Sequence, residues 1–503
     1  MNNQNQYMDL KEYYKKKRSV YNCMMLSALI LVCSLIYFNL NWDNVMLLRT
    51  KEFNSTIVLL TAVQYIIGIV SWIKMKNRLV SIYIVFYGYM FLSNLGQSVS
   101  HFLIDDTFML FSVYENNSID LINKAVLFQF ICVAGINLGT AIGTYLYTKK
   151  YGVKDTMFSD NVLPDRYKRT EYDLIFDILF YISVAYNIAI ALYAVVSRQS
   201  MSYMTLYETR EGSSAYLNFA CRILGIYYVC KNTLNHNKFQ EKLFYVLWIL
   251  LIVLYMAAGT RSKAIIFIGI LVFAARMFHP EWFKKKYIPY YIVGFIAFNV
   301  AMSVISVIRS AAIGQITVDS VLEQGIMYNL KRSLFEYGIS EYPMLITLKE
   351  IEKGMEHYQT IIYYLIRGVI PLPILNAIGF TAPAEIGDLS AWATNRSILT
   401  EAEAGYSCIA EAYLNYGKYG WVFMFVYGIA ISYAELLSIR KIKDGELMLP
   451  CIFVGMLSRQ IFFARSSINV IGSSIRFSIY IWIVYIILTY RKRIRVKGRR
   501  TQV

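Results

Sequence analysis

The residues of this sequence that could do chemistry are a scattered set of arginines in apolar surroundings and one carboxylate–amide pair. The apolar run 243–258 breaks at Gly259-Thr-Arg261-Ser-Lys263 and resumes at Ala264, placing two cations at the tip of a tight hairpin. A turn needs only polar residues and a glycine there, so a purely structural turn is one reading. The Arg-Ser-Lys cluster also suits an anionic group such as a pyrophosphate, which a guanidinium clamps through two parallel hydrogen bonds. Arg309, Arg465 and Arg476 sit at the ends of other apolar runs, on what the charge pattern makes the same face. Any one of them could snorkel or pair with a loop carboxylate; several at one level favour an anion site. Arg222 lies deeper in a run, where an interhelix pair accounts for it equally well, and Arg367, beside Gly368, leaves both roles open.

The acidic counterpart is Glu401, Glu403 and then Gly405-Tyr-Ser-Cys-Ile-Ala-Glu411-Ala-Tyr413-Leu-Asn415-Tyr-Gly417-Lys-Tyr-Gly420. In a helix Glu411 and Asn415 stand one turn apart on a shared face. A carboxylate at the mouth of an apolar helix could deprotonate a hydroxyl; a cap on the helix start is the plainer alternative. The four histidines (His101, His236, His279, His357) are dispersed, and no HExxH, paired CxxC or Asp-x-Asp spacing occurs, so no metal site is expected. No P-loop and no GxSxG elbow is present, and no cofactor is implied.

These residues must be positioned by a membrane fold. Of 503 residues, 57% are hydrophobic and 17% charged, against about 45–50% and about 25% in soluble chains. That composition excludes disorder, a collagen-like fibre and a disulfide scaffold. Apolar runs long enough to cross a ~30 Å hydrocarbon core recur along the chain. The expected fold is an all-α polytopic membrane protein with about twelve spans, near 19–39, 54–73, 79–98, 125–147, 173–196, 213–230, 243–259, 264–278, 287–306, 417–439, 447–463 and 474–490. The first run lacks a small-x-small cleavage site and is expected to remain as an anchor. The seven cysteines, six of them inside apolar runs, are expected to be unpaired small hydrophobes.

Basic residues set the orientation. The N-terminus, alternate loops and the tail hold roughly 31 of the 50 Lys and Arg, which makes that side, and both termini, cytoplasmic. The net charge of +17 is spread in short juxtamembrane clusters, which the anionic leaflet explains, so no nucleic-acid partner is expected. The expected organisation is a transmembrane bundle over 1–306, a long extracytoplasmic loop over 307–416, further spans over 417–490 and a basic tail over 491–503. The long loop is acidic, with about 12 Asp/Glu against about 7 Lys/Arg. Its first part, Val318 to Glu356, has helical periodicity, and Ile361–Ile378, apolar but broken by prolines, reads as an interfacial or re-entrant segment.

The segment Gly405–Gly420 resembles the Ser-x-x-Glu-x-Tyr-x-Asn-[Phe/Tyr]-Gly-x-x-Gly signature of O-antigen and capsule repeat-unit polymerases of the Wzy type. Gly259–Ser262 and Arg465-Ser466 look like further features of that family, and the resemblance covers mainly residues 250–480. The Arg-x10-Gly arrangement of some members is not found at Arg367. The resemblance implies a glycosyltransferase of a bacterial cytoplasmic membrane, acting on undecaprenyl-pyrophosphate-linked oligosaccharide repeats at the outer face. A flippase and a chain-length regulator are the implied partners. It implies catalytic roles for Glu411, Arg261 and Arg465, and substrate contacts for Arg309, Lys263, Arg367, Arg476, Tyr413 and Asn415. A lipid-linked polysaccharide ligase and a flippase of the repeat unit are the competing readings, the second disfavoured by the long outer loop.

Overall fold

Few prolines and long apolar runs leave the backbone one way to satisfy its hydrogen bonds, and every regular element among the described residues is a helix. The computed structural model describes residues 2–75, 81–103, 113–152, 173–197, 214–258, 261–283, 285–287, 289–290, 293–294, 334–335, 337–381, 388–396, 405–444 and 447–500. The main helices are α1 (Asn2–Asn41), α2 (Lys51–Lys74), α3 (Ile82–Leu103), α4 (Ile119–Tyr151), α5 (Asp173–Ser197), α6 (Ser214–Leu234), α7 (Lys238–Ala257) and α8 (Arg261–Phe278). They continue with α9 (Glu341–Glu352), α10 (Thr360–Val369), α11 (Cys408–Tyr416), α12 (Gly420–Lys443), α13 (Met448–Phe463) and α14 (Asn469–Arg500).

A helix occupies each expected span except 287–306, most of which lies outside the described residues. Among the described residues seven helices are long and apolar enough to cross a membrane: those over Lys17–Asn41, Lys51–Lys74, Ile119–Tyr151, Asp173–Val196, Lys238–Ala257, Cys408–Ile442 and Asn469–Ile487. Outer helices carry exposed apolar side chains such as Leu29, Ile66, Val246 and Ile487, as lipid-facing surfaces do. All seven cysteines are free. The apolar segment 361–378 divides into α10 and a short helix, Leu372–Ala377, on either side of Pro371. Most of the periodic stretch expected over 318–356 lies outside the described residues; its end forms α9.

The two ends of the chain are not separate bodies. The most buried candidate span is α4, and it lies along α12. Their backbones meet at a glycine seam, where a Cβ on Gly139 would strike the Phe425 carbonyl and one on Gly143 the Ser432 hydroxyl. Buried carboxylates from the second half also hold α3. Glu435 of α12 accepts hydrogen bonds from Ile82 N (3.0 Å) and Tyr83 N (2.9 Å), satisfying orphan donors at the start of α3. Near its other end, Glu341 of α9 accepts from Gln97 N (2.7 Å), Ser98 N (3.1 Å) and Ser98 Oγ (2.6 Å).

Burial raises the Glu341 carboxyl to about 8, above the ordinary glutamate value of 4.5. A group raised on folding binds its proton more tightly in the folded state, so its stabilising effect is complete below the unfolded pKa and is lost as pH rises through the folded one. We expect the thermal stability of the purified protein to fall as pH rises from about 5 to about 8, and Glu341→Gln to flatten that slope. Melting curves across this range check it; identical slopes for the two proteins would contradict it.

Candidate active site

The site is assembled at one end of the bundle around α11. Ser407 starts this helix: its Oγ accepts from Ile409 N (3.2 Å) and Ala410 N (3.4 Å), and its hydroxyl donates to Asn94 Oδ1 of α3. Asn94 also donates through Nδ2 to the Ala464 carbonyl at 3.0 Å, joined there by Ser93 Oγ at 3.3 Å. One polar stretch of α3 thus ties the start of α11 to the turn between α13 and α14.

Gly405 brings that turn close. Its φ of +71° is a left-handed conformation that side chains other than glycine adopt at a cost. A Cβ there would also stand 3.0 Å from the Arg465 carbonyl and 3.7 Å from Arg465 Nε, so the arginine arm lies along the bare face of the glycine. The Tyr406 amide donates to the same carbonyl at 3.3 Å.

Glu411 is fully buried. Its Oε1 accepts from Thr360 Oγ1 at 2.9 Å, and its Oε2 accepts from Ile468 N at 2.6 Å. Asn415, one turn on, donates through Nδ2 to Thr360 Oγ1 (2.8 Å) and to the Glu411 carbonyl (2.8 Å). Its Oδ1 accepts from Ile361 N at 3.0 Å, satisfying an orphan donor at the start of α10. The shared face expected for Glu411 and Asn415 is therefore present, and it is fully engaged by protein groups. Tyr413 points elsewhere. Its ring packs in an aromatic cluster with Phe128 (5.0 Å), Trp42 (5.9 Å) and His357 (6.2 Å), so the structure does not bring it to the Glu411 side.

The arginines separate into places. Arg465 lies in the turn facing Gly405, two residues before Ser467 and three before Ile468. Arg367 lies two turns along α10 from Thr360, next to Gly368, whose backbone meets that of Gly472 in α14. Arg476 follows Gly472 by one turn. The Nε atoms of Arg367 and Arg476 are buried without a hydrogen-bond partner among the described residues. Arg261 opens α8, Gly259 and Thr260 of the expected hairpin lie outside the described residues, and Lys263 Nζ lies 5.8 Å from the Tyr255 ring. Arg309, Glu401 and Glu403 lie outside the described residues.

Three participants had no signal of their own in the sequence. Thr360 is 51 residues from Glu411, and Ile468 contributes a backbone N–H that any residue but proline supplies. Asn94 was foreshadowed only by the polar residues Ser93, Asn94, Gln97 and Ser98 inside an apolar run. No group of three or more His, Cys, Asp or Glu able to hold a metal occurs among the described residues.

The profile of the family described as O-antigen polysaccharide polymerase Wzy matches residues 20–495. This chain belongs to that family. No curated protein and no solved structure matches it significantly. The Wzy match spans both halves of the bundle, whereas the signature residues lie in the second half alone, and the α4–α12 seam and the carboxylates on α3 make the two halves one framework.

Because Gly405 holds a left-handed φ and a Cβ there would crowd the Arg465 carbonyl, we expect Gly405→Val to reduce polymer formation strongly while the protein still accumulates in the membrane. A surface-polysaccharide gel beside an immunoblot checks this; a wild-type ladder from Gly405→Val would contradict it.

Proposed function

We propose that this Wzy-family chain polymerises undecaprenyl-pyrophosphate-linked oligosaccharide repeats at the outer face of a bacterial cytoplasmic membrane. The observation that carries the reading is the family match over nearly the whole chain; the buried network around Glu411 supplies its mechanism. In this reading both termini are cytoplasmic, about twelve helices span the bilayer, and the Arg465 turn faces outward, in line with the distribution of Lys and Arg. A flippase delivering repeats and a regulator of chain length are the partners such a reaction calls for.

The reaction breaks the bond between the anomeric carbon of the growing chain and its pyrophosphate and forms a glycosidic bond to a hydroxyl of the next repeat, whose proton passes to the departing pyrophosphate or to water. Negative charge builds on the departing pyrophosphate. We assign Arg465 to meet it, and assign Arg261, Arg309, Lys263 and Arg367 to further contacts with the pyrophosphate. Preset cations need no reorganisation as that charge develops, which is why they favour the transition state. Glu411 and Asn415 take a positioning role in this account. Together with Thr360 they hold α10, α11 and the 465–468 turn in register, so that the Arg465 guanidinium is fixed over Gly405. Deprotonating the acceptor hydroxyl, the other role open to Glu411, would first require one of its two hydrogen bonds to open.

Deleting the gene should collapse the surface polymer ladder to a single repeat that still reaches the surface. Loss of all surface repeats would favour a flippase, and finished polymer left on its lipid a ligase. In complemented cells we expect Arg465→Ala to lower the polymerisation rate about 10²–10³-fold, the usual loss for one preset donor at a developing charge. Arg465→Lys should recover only part of it, because an ammonium lacks the two-pronged geometry. Full activity of Arg465→Ala would remove Arg465 from the mechanism.

A further inference from the structure

A second group of arginines, Arg222, Arg459 and Arg476, lies below the Arg465 turn, in the interior of the bundle. Arg222 of α6 is 5% exposed. One of its guanidinium nitrogens donates to Asn218, while Nε and Nη1 have no hydrogen-bond partner among the described residues. Among those residues the charged and titratable groups acting on it are Arg459, Tyr255 and Cys221, and none is a carboxylate. It also lies 5.8 Å from the Phe267 ring, whose face attracts the cation without neutralising it. The chain treats another buried cation of the same helix differently: Lys231 is paired with Asp177.

Two more arginines stand at this level. The guanidinium of Arg459 on α13 lies 5.8 Å from the Phe477 ring, and that of Arg476 on α14 lies 6.0 Å from it. Phe477 packs in turn on Tyr216 (4.6 Å) and Phe219 (5.4 Å) of α6, the helix that carries Arg222. Arg459 and Arg476 thus flank one ring, and that ring packs on the helix that carries Arg222. At ~1.5 Å rise per residue, these positions lie roughly 6–12 Å in from the helix ends nearest the Arg465 turn. That is the depth of the boundary between headgroups and acyl chains in the orientation proposed above. Like charges gathered in an apolar interior repel, and charged side chains within a bundle mark the path of a ligand.

The chemistry of the proposed reaction calls for two pyrophosphates. The donor chain carries one at the reacting carbon and releases it. The acceptor repeat carries another at its opposite end, one repeat away from the reacting hydroxyl, and keeps it. A site for the second must therefore lie apart from the first. Resting on the polymerase reading, we infer that Arg222, Arg459 and Arg476 bind the pyrophosphate of the acceptor lipid, while the Arg465 turn serves the donor. Two of the open nitrogens of Arg222 and the Nε of Arg476 are the donors available to the phosphate oxygens.

The test is native mass spectrometry of the purified full chain with undecaprenyl pyrophosphate as the probe. The wild type should hold two carriers. Arg222→Gln and Arg459→Gln should each hold one, with the affinity of the lost site down about 10- to 100-fold, the expected loss for one hydrogen bond to a charged group. Arg465→Ala should lose the other. Arg222→Lys, which keeps the charge, should recover part of the binding and shows that loss in Arg222→Gln is not misfolding. Two carriers on both Gln variants, or one carrier on the wild type that only Arg465→Ala removes, would overturn this inference and leave the polymerase reading intact. Equal occupancy by phosphatidylglycerol would assign the cluster to bulk anionic lipid and overturn it likewise. No carrier on the wild type would overturn the polymerase reading itself.

Discussion

One buried carboxylate organises this end of the molecule. Glu411 is fully buried, and its two oxygens accept from a threonine hydroxyl and a backbone amide of segments distant in sequence. A buried polar group left unpaired costs about 1–3 kcal/mol, more when charged. The arrangement therefore holds only while α10, α11 and the turn before α14 are all in place. Asn415 closes the same network by serving Thr360 and the start of α10 together. Polar networks in a low-dielectric interior are stringent in this way: complete, they fix a single geometry, and incomplete, they destabilise it.

The framework beneath repeats the device. A pair of glutamates from the second half grip α3 near its two ends, and Ser93 and Asn94 between them reach the Ala464 carbonyl and Ser407. Apolar packing against lipid is non-directional and leaves helices free to slide. Directional bonds across helices, and the glycine seam that lets α4 and α12 approach, set the register that lipid does not. The Arg465 turn is thereby located against elements from both ends of the chain, a purpose that a family match over the whole length is consistent with.

What was legible in the sequence follows from local physics. Apolar runs of spanning length within the described residues are helices, the polar break at 259–263 separates α7 from α8, and Pro371 separates two short helices. Helical spacing put Glu411 and Asn415 on one face. The same geometry places Tyr413, two residues from each, near the opposite face, so grouping it with them followed the motif rather than the helix. The partners of Glu411 were not legible, because one is an ordinary threonine far away and the other a backbone amide that carries no side-chain identity. Arg459 was visible only as an awkward charge in an apolar run; its place beside Arg222 is a tertiary fact. The helix register within α3 was readable in principle, since its polar residues cluster at one end of the run.

The central claim is that Glu411 and Thr360 work as one unit that holds α10, α11 and the Arg465 turn in register, and that Glu411 does not act alone as a base. The direct measurement is a double-mutant cycle on the polymerisation rate with Glu411→Gln, Thr360→Val and both together. Residues that act as one unit are strongly non-additive. The account predicts that Thr360→Val loses nearly as much activity as Glu411→Gln and that the double variant is little worse than either. Wild-type activity in Thr360→Val beside an inactive Glu411→Gln would contradict it, and would return Glu411 to the acceptor hydroxyl.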